Sequence, residues 1–349
     1  MLRLAFLLLL LAAPLRAETL PLVNPAAEAL LDTAAVPGLG RNGQAELART
    51  LLRNLPRAFA IGPGGAYASR AGNAAPAVVA QAALEACQAH TPGRSPCQLW
   101  LRDLEIVFPG REWAPAPPPA DAGWREPLRE TVPDPRFLWW GPGRARGVVL
   151  WAHGRGPSGE DSRGRQPQAW LRHLNHAGFD IWRFDREPEA DTVRRAAGWM
   201  RADLAALRAQ GYRRVVAAGQ SRGGWNALQA LDTPGLAEVT IAIAPAALAS
   251  MDEAGQARQM AALRAVLAGA VPGQARVAVA NFRDDPFDGL PEERAAALRA
   301  LAPALRAFLL IDRPEGLAGH AAGASTAFAQ RYGPCLLRFV VEDSPPSSC

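Results

Sequence analysis

The stretch Gly219-Gln220-Ser221-Arg222-Gly223 joins a strand-like segment to a helix-like one. Before it, Arg214-Val215-Val216-Ala217-Ala218 is an apolar, β-branched run of the kind that forms a buried strand. After it, Gly224-Trp225-Asn226-Ala227-Leu228-Gln229-Ala230-Leu231 is compatible with a helix. A G-x-S-x-G turn in that setting predicts a tight strand-to-helix corner. Small residues are required because neighbouring side chains would collide, and the strained corner lifts the serine hydroxyl clear of the sheet.

This arrangement resembles the nucleophile elbow of the α/β-hydrolase superfamily, and the resemblance extends over roughly residues 122–340. It implies a serine esterase-like enzyme with Ser221 as nucleophile. The superfamily runs in the order serine, acid, histidine. Of the five histidines, His90, His153, His173, His176 and His320, only His320 lies beyond Ser221. It sits in a glycine-bearing loop after the last expected strand, where the family places its base. The acid is expected in Phe282-Arg283-Asp284-Asp285-Pro286-Phe287-Asp288, between a strand and a helix. Asp285 is the choice because the following proline fixes the turn that would aim it. Asp284 and Asp288 share the loop, and Asp252 is a further alternative after the preceding strand. An oxyanion hole needs two backbone N–H groups. Arg222 supplies one, and the loop His153-Gly154-Arg155-Gly156-Pro157, which resembles the family's HG loop, supplies the other through Arg155, with Gly154 or Gly156 as alternatives. His153 has no catalytic role in this scheme.

Outward from the elbow, strand-like and helix-like segments alternate, as in a parallel sheet. Strands are expected at 137–140, 147–152, 179–183, 239–244, 276–282 and 308–311, and helices at 168–177, 192–210, 257–267, 292–301 and 325–332. The expected fold class is α/β: a mostly parallel α/β-hydrolase sheet with helices on both faces, plus a small N-terminal α+β domain. Residues 114–121 are proline-rich and read as a linker between the small domain, 18–113, and the hydrolase domain, 122–349. The small unit reads β-β-α-β and is similar to two-cysteine modules of exported bacterial proteins.

Residues 1–17 read as a signal peptide, with a basic start, an apolar run too short to span a bilayer and a small residue, Ala17, for cleavage. The expected location is periplasmic or secreted, with no stable membrane insertion of the mature chain. The four cysteines, Cys87, Cys97, Cys335 and Cys349, suggest two disulfides, and of three possible pairings the local one, Cys87–Cys97 with Cys335–Cys349, closes short loops. The formal charge of +5 falls to +3 without Arg3 and Arg16, and every basic residue is a dispersed arginine, so nucleic acid is not an expected partner. No Walker pattern occurs, since the chain has no lysine, and no cofactor is expected. His173 and His176, at i,i+3 on a helix, lack a third ligand and read as ordinary helix surface rather than a metal site. Trp139, Trp140, Trp151, Trp182 and Trp225 read as core and pocket wall.

The expected activity is hydrolysis of a small-molecule ester through an acyl-enzyme. An amidase or peptidase with the same triad, and an inactive hydrolase-fold binding module, are the alternatives. Arg155, Arg163, Arg165 and Arg222 crowd the site and suggest esters carrying an acidic group.

Overall fold

The computed structural model describes residues 27–156, 160–247 and 252–349; the expected leader, 1–17, lies outside them. In chain order the elements are α1 (Glu28–Leu31), α2 (Arg41–Leu51), β1 (Arg57–Gly62), β2 (Ala66–Ala71), α3 (Pro76–Gln88), β3 (Gln98–Arg102) and β4 (Glu105–Ile106). There follow β5 (Trp124–Glu126), β6 (Arg129–Pro133), β7 (Gly147–Ala152), α4 (Leu171–His176), β8 (Phe179–Arg186), α5 (Val193–Ala209), β9 (Val215–Gln220) and α6 (Arg222–Gln229). The chain continues through β10 (Val239–Ile243), α7 (Glu253–Ala268), β11 (Arg276–Asn281), α8 (Pro291–Leu301), β12 (Ala307–Asp312) and α9 (Thr326–Val341).

β1–β4 form one sheet in the order β2-β1-β3-β4, and β5–β12 form another in the order β12-β11-β10-β9-β7-β8-β6-β5. From β12 to β8 every neighbour is parallel; β6 and β5 close one edge antiparallel. The central strands β7, β9 and β10 are largely apolar and buried because both faces of the sheet are covered there. Their alternation sorts the side chains: Val149, Trp151, Val216, Ala218 and Ile241 face α4 and α9, and Val148, Leu150, Val215 and Ala217 face the side of α5. One cluster of buried side chains runs from Phe59, Trp100 and Leu101 of the small sheet to Val148, Leu150 and Met200. Both disulfides take the local pairing, Cys87–Cys97 and Cys335–Cys349. Among the described residues no helix is long and apolar enough to cross a membrane.

Two expectations are corrected. Residues 137–140 are not a strand, because their backbone is satisfied by side chains rather than by a ladder. Leu138 N–H donates to Asn175 Oδ1 (2.9 Å), and Trp140 and Gly141 N–H donate to the Asp180 carboxylate (2.7 and 3.0 Å). The antiparallel edge comes instead from the β5–β6 hairpin. Nor are His173 and His176 helix surface. The His173 ring packs on α9 at Gly333, where an added Cβ would lie 2.2 Å from it, and its Nε2–H donates to Ala329 O (3.1 Å). His176 is buried, and that burial, with Arg57 and Arg172 nearby, holds it well below the ordinary imidazole range.

Candidate active site

Five parallel strands, β7, β9, β10, β11 and β12, end side by side, and the residues that follow them build the site. After β9 the chain turns within one residue into α6. Ser221 is that residue, with φ 54° and ψ −120°, a left-handed backbone that side chains other than glycine adopt only under constraint. Its N–H donates to Ile243 O at the end of β10 (2.9 Å), while its carbonyl accepts from Trp225 and Ala246 (2.9 and 3.1 Å). The backbone is thus fixed from three sides, and the hydroxyl, which does not cap α6, is left over. The flanking glycines are steric requirements: a Cβ on Gly219 would sit 2.3 Å from the Gly223 carbonyl carbon, and one on Gly223 would sit 2.0 Å from Ala152 O.

His320 lies in the loop between β12 and α9. Its Nδ1 hydrogen bonds both carboxylate oxygens of Asp285 (3.0 and 2.9 Å), and the Asp285 side chain is buried. A carboxylate only accepts, so Nδ1 carries a proton and donates it. Nε2 is buried with no hydrogen-bond partner among the described residues. Phe287 packs edge-on against the imidazole at 4.4 Å, and Gln220 Nε2 donates to the His320 carbonyl (3.3 Å), tying the loop to the residue before Ser221.

The three aspartates after β11 go three ways. Asp284 is exposed, at φ 54°. Asp285 turns inward, its Oδ1 also accepting the Phe287 N–H (2.9 Å). Asp288 is buried against Arg294 (3.4 Å), and desolvation raises its pKa above the usual carboxylate range. Asp252 caps α7 by accepting the Gly255 N–H (2.5 Å).

Arg222 is the first residue of α6, where backbone N–H groups have no acceptor within the helix. Arg155 is exposed in the loop after β7. The carbonyl of Gly154 in that loop is held by His153, whose Nδ1 donates to it (2.6 Å) while Nε2 accepts the Arg186 N–H (3.2 Å). Burial, with the Arg186 charge beside it, holds His153 well below its ordinary pKa, so it stays neutral in that tautomer.

Behind the site lies a buried set of charges that the sequence does not announce. Arg186 Nη2 donates to His153 O (2.6 Å), and its Nε pairs with Asp191 (3.2 Å). The Arg222 guanidinium donates to Asp191 O (3.0 Å) and Ala247 O (2.6 Å). The Arg222 side chain therefore points into the protein and offers nothing to a substrate. Arg163 and Arg165 are paired with Asp161 (2.7 Å) and Glu160 (2.7 Å). With arginine as the sole basic residue type apart from histidine, nothing local in the sequence distinguishes Arg186 from the solvated ones.

No family model matches the chain, and no curated protein does. Among solved structures the chain is similar to an esterase of Pyrococcus furiosus (TM-score 0.44, 14% identity, 64% of this chain and 96% of that one). It is similar to Thermogutta terrifontis esterase 2 (TM-score 0.42, 15% identity, 63% and 93%). It is also similar to a Mycobacterium tuberculosis puromycin-hydrolyzing peptidase (TM-score 0.44, 17% identity, 72% of this chain and 43% of that one), and so spans less than half of that peptidase.

Proposed function

We propose that this chain, whose eight-stranded sheet has the α/β-hydrolase fold, is an exported serine hydrolase that cleaves a small carboxylic ester through an acyl-enzyme. The observation that carries the reading is the His320–Asp285 pair: an imidazole held through Nδ1–H by a buried carboxylate, with Nε2 unengaged among the described residues. Such a group accepts a proton from a hydroxyl as that hydroxyl attacks.

The sequence of steps follows from these roles. Ser221 Oγ adds to the ester carbonyl while His320 Nε2 takes its proton, and Asp285 stabilises the imidazolium. The carbonyl oxygen becomes an oxyanion held by the Arg222 and Arg155 amides, at the N-terminus of α6 where the helix dipole favours negative charge. The tetrahedral intermediate collapses, the C–O bond to the alcohol breaks, and His320 returns its proton to the departing oxygen. Water then repeats the cycle on the acyl-Ser221 ester and releases the acid. The strained backbone of Ser221 keeps the nucleophile raised throughout. The two disulfides support an oxidising compartment.

A fluorophosphonate probe tests the reading directly. Wild-type protein should be labelled once, at Ser221, and Ser221→Ala should be folded and unlabelled. Equal labelling of Ser221→Ala would refute it.

A further inference from the structure

Beside Ser221 lies a cavity of about 240 Å³ lined on one side by Gly154, Arg155 and Ser162, and on the other by Gln168, Gln220 and Ala321. It adjoins the nucleophile: a Cβ added to Gly154 would lie 3.1 Å from Ser221 Cβ, Gln220 precedes Ser221 in the chain, and Ala321 follows His320.

The cavity's polar groups are unevenly spent. Ser162 is only 3% exposed, and its Oγ has no hydrogen-bond partner among the described residues. A buried hydroxyl left unpaired forfeits its hydration without return, so it calls for an explanation. Gln168 uses Oε1 to accept the Trp170 indole N–H (2.8 Å), which turns its NH₂ to be the spare group. Arg155 makes no ion pair or hydrogen bond among the described residues, and Arg165, also on the lining, is held only by the solvent-exposed Glu160. An exposed pair of that kind is weak and readily exchanged. No carboxylate belongs to the lining among the described residues. The free groups include three donors, a hydroxyl, an amide NH₂ and a guanidinium, against one amide acceptor, Gln220 Oε1, whose Nε2 is spent on the His320 carbonyl. An excess of donors, with a positive balance and no carboxylate, matches a group that only accepts and carries negative charge.

Resting on the serine-hydrolase reading above, we propose that this cavity is a carboxylate subsite, formed by Ser162 Oγ, the Gln168 NH₂ and the Arg155 guanidinium, and that the physiological ester carries a free carboxylate near its scissile bond. Arg222 and Arg163, which proximity in sequence also suggests, take no part.

The test uses the full chain and two matched substrate pairs, each rate divided by the hydroxide rate of the same ester. 4-Nitrophenyl hemiglutarate against 4-nitrophenyl butyrate places the carboxylate on the acyl side; 3-carboxyphenyl butyrate against phenyl butyrate places it on the alcohol side. One pair should favour the charged ester by about tenfold or more in kcat/KM at low ionic strength, and added salt should narrow the gap. Ser162→Ala and Gln168→Glu should each lower that ratio, the second further because it sets a carboxylate against a carboxylate. Glutarate should bind the Ser221→Ala protein in calorimetry and bind Ser221→Ala/Gln168→Glu more weakly. Ratios near one in both pairs, or ratios that neither variant moves, overturn the subsite. Glutarate binding without fluorophosphonate labelling would sink the hydrolase reading and keep the subsite; labelling with neither glutarate binding nor ester discrimination would do the reverse.

Discussion

The two sheets of this protein are held together in different ways. The large one is covered on both faces and carries backbone strain at one end: Ser221 (φ 54°) follows β9, Ala244 (φ 44°) follows β10, Arg313 (φ 47°) follows β12, and Asp284 (φ 54°) lies shortly past β11. In the small sheet the non-glycine residue of this kind is Asp103 (φ 57°), in the β3–β4 turn, where its carboxylate accepts the Arg57 N–H (2.9 Å). Its helix-side core is built largely of alanines, Ala58, Ala60, Ala68, Ala80 and Ala83, beside Cys87 and Cys97. Strain of roughly 1–3 kcal/mol per residue persists only where the surroundings over-determine the backbone. The large sheet has that reserve, and its site stands on it; the small one has little apolar area to spare and is stapled.

If chemistry is confined to the strained edge, the largest loss should come from His320→Ala. It should lower kcat by about 10⁴-fold or more, because no other group takes the Ser221 proton. Stopped-flow or steady-state ester hydrolysis reads this, and a loss below tenfold would remove His320 as the base. Asp285→Asn comes next, at about 10³-fold, while Asp284→Asn should be nearly silent because Asp284 is exposed and asparagine tolerates its left-handed backbone. A severe loss at Asp284 with Asp285 spared would reverse their roles.

The staple should show up in stability rather than turnover. Cys87→Ala/Cys97→Ala opens a loop with sequence separation 10 and should cost about 3 kcal/mol in the chain-entropy account. Urea unfolding measures it; an unchanged midpoint would mean that the alanine core suffices. The smallest effect is a pH slope inside the large unit, away from the strained edge. Burial pushes the Asp180 carboxyl up to about 6 from 3.8, although Tyr212, Trp140 and Gly141 all donate to it. The folded state then keeps a proton that the unfolded state has lost, so this contribution to stability is present at pH 4 and falls as pH rises to 6. Asp180→Asn removes the slope. The advantage of wild type over the variant should shrink by on the order of 3 kcal/mol between pH 4 and pH 7, and a flat difference would show that Asp180 titrates normally.

Most of the large sheet was legible because its strands are short β-branched runs separated by amphipathic helices, a signal local to each segment. The misread segment at 137–140 is as apolar as a strand, but its N–H groups meet Asn175 and Asp180, partners that no local pattern reveals. The β5–β6 hairpin was missed for the converse reason: as an edge with Arg125, Glu126, Arg129 and Glu130 it lacks the apolar content of a central strand.

By itself the sequence determined the elbow, since Gly219, Ser221 and Gly223 and their flanks act within a few residues. It also determined the order of elements from β7 to α9 and the local disulfides, whose loops are short. Only the tertiary structure decided which of three neighbouring aspartates meets His320, that Arg222 turns its charge inward to Asp191 and Ala247, and that Ser162 is buried without a partner among the described residues. These are matters of side-chain direction and of which distant carbonyls and carboxylates come within 3 Å or so of a donor. Spacing along a chain fixes the face a residue occupies; it does not fix what stands opposite.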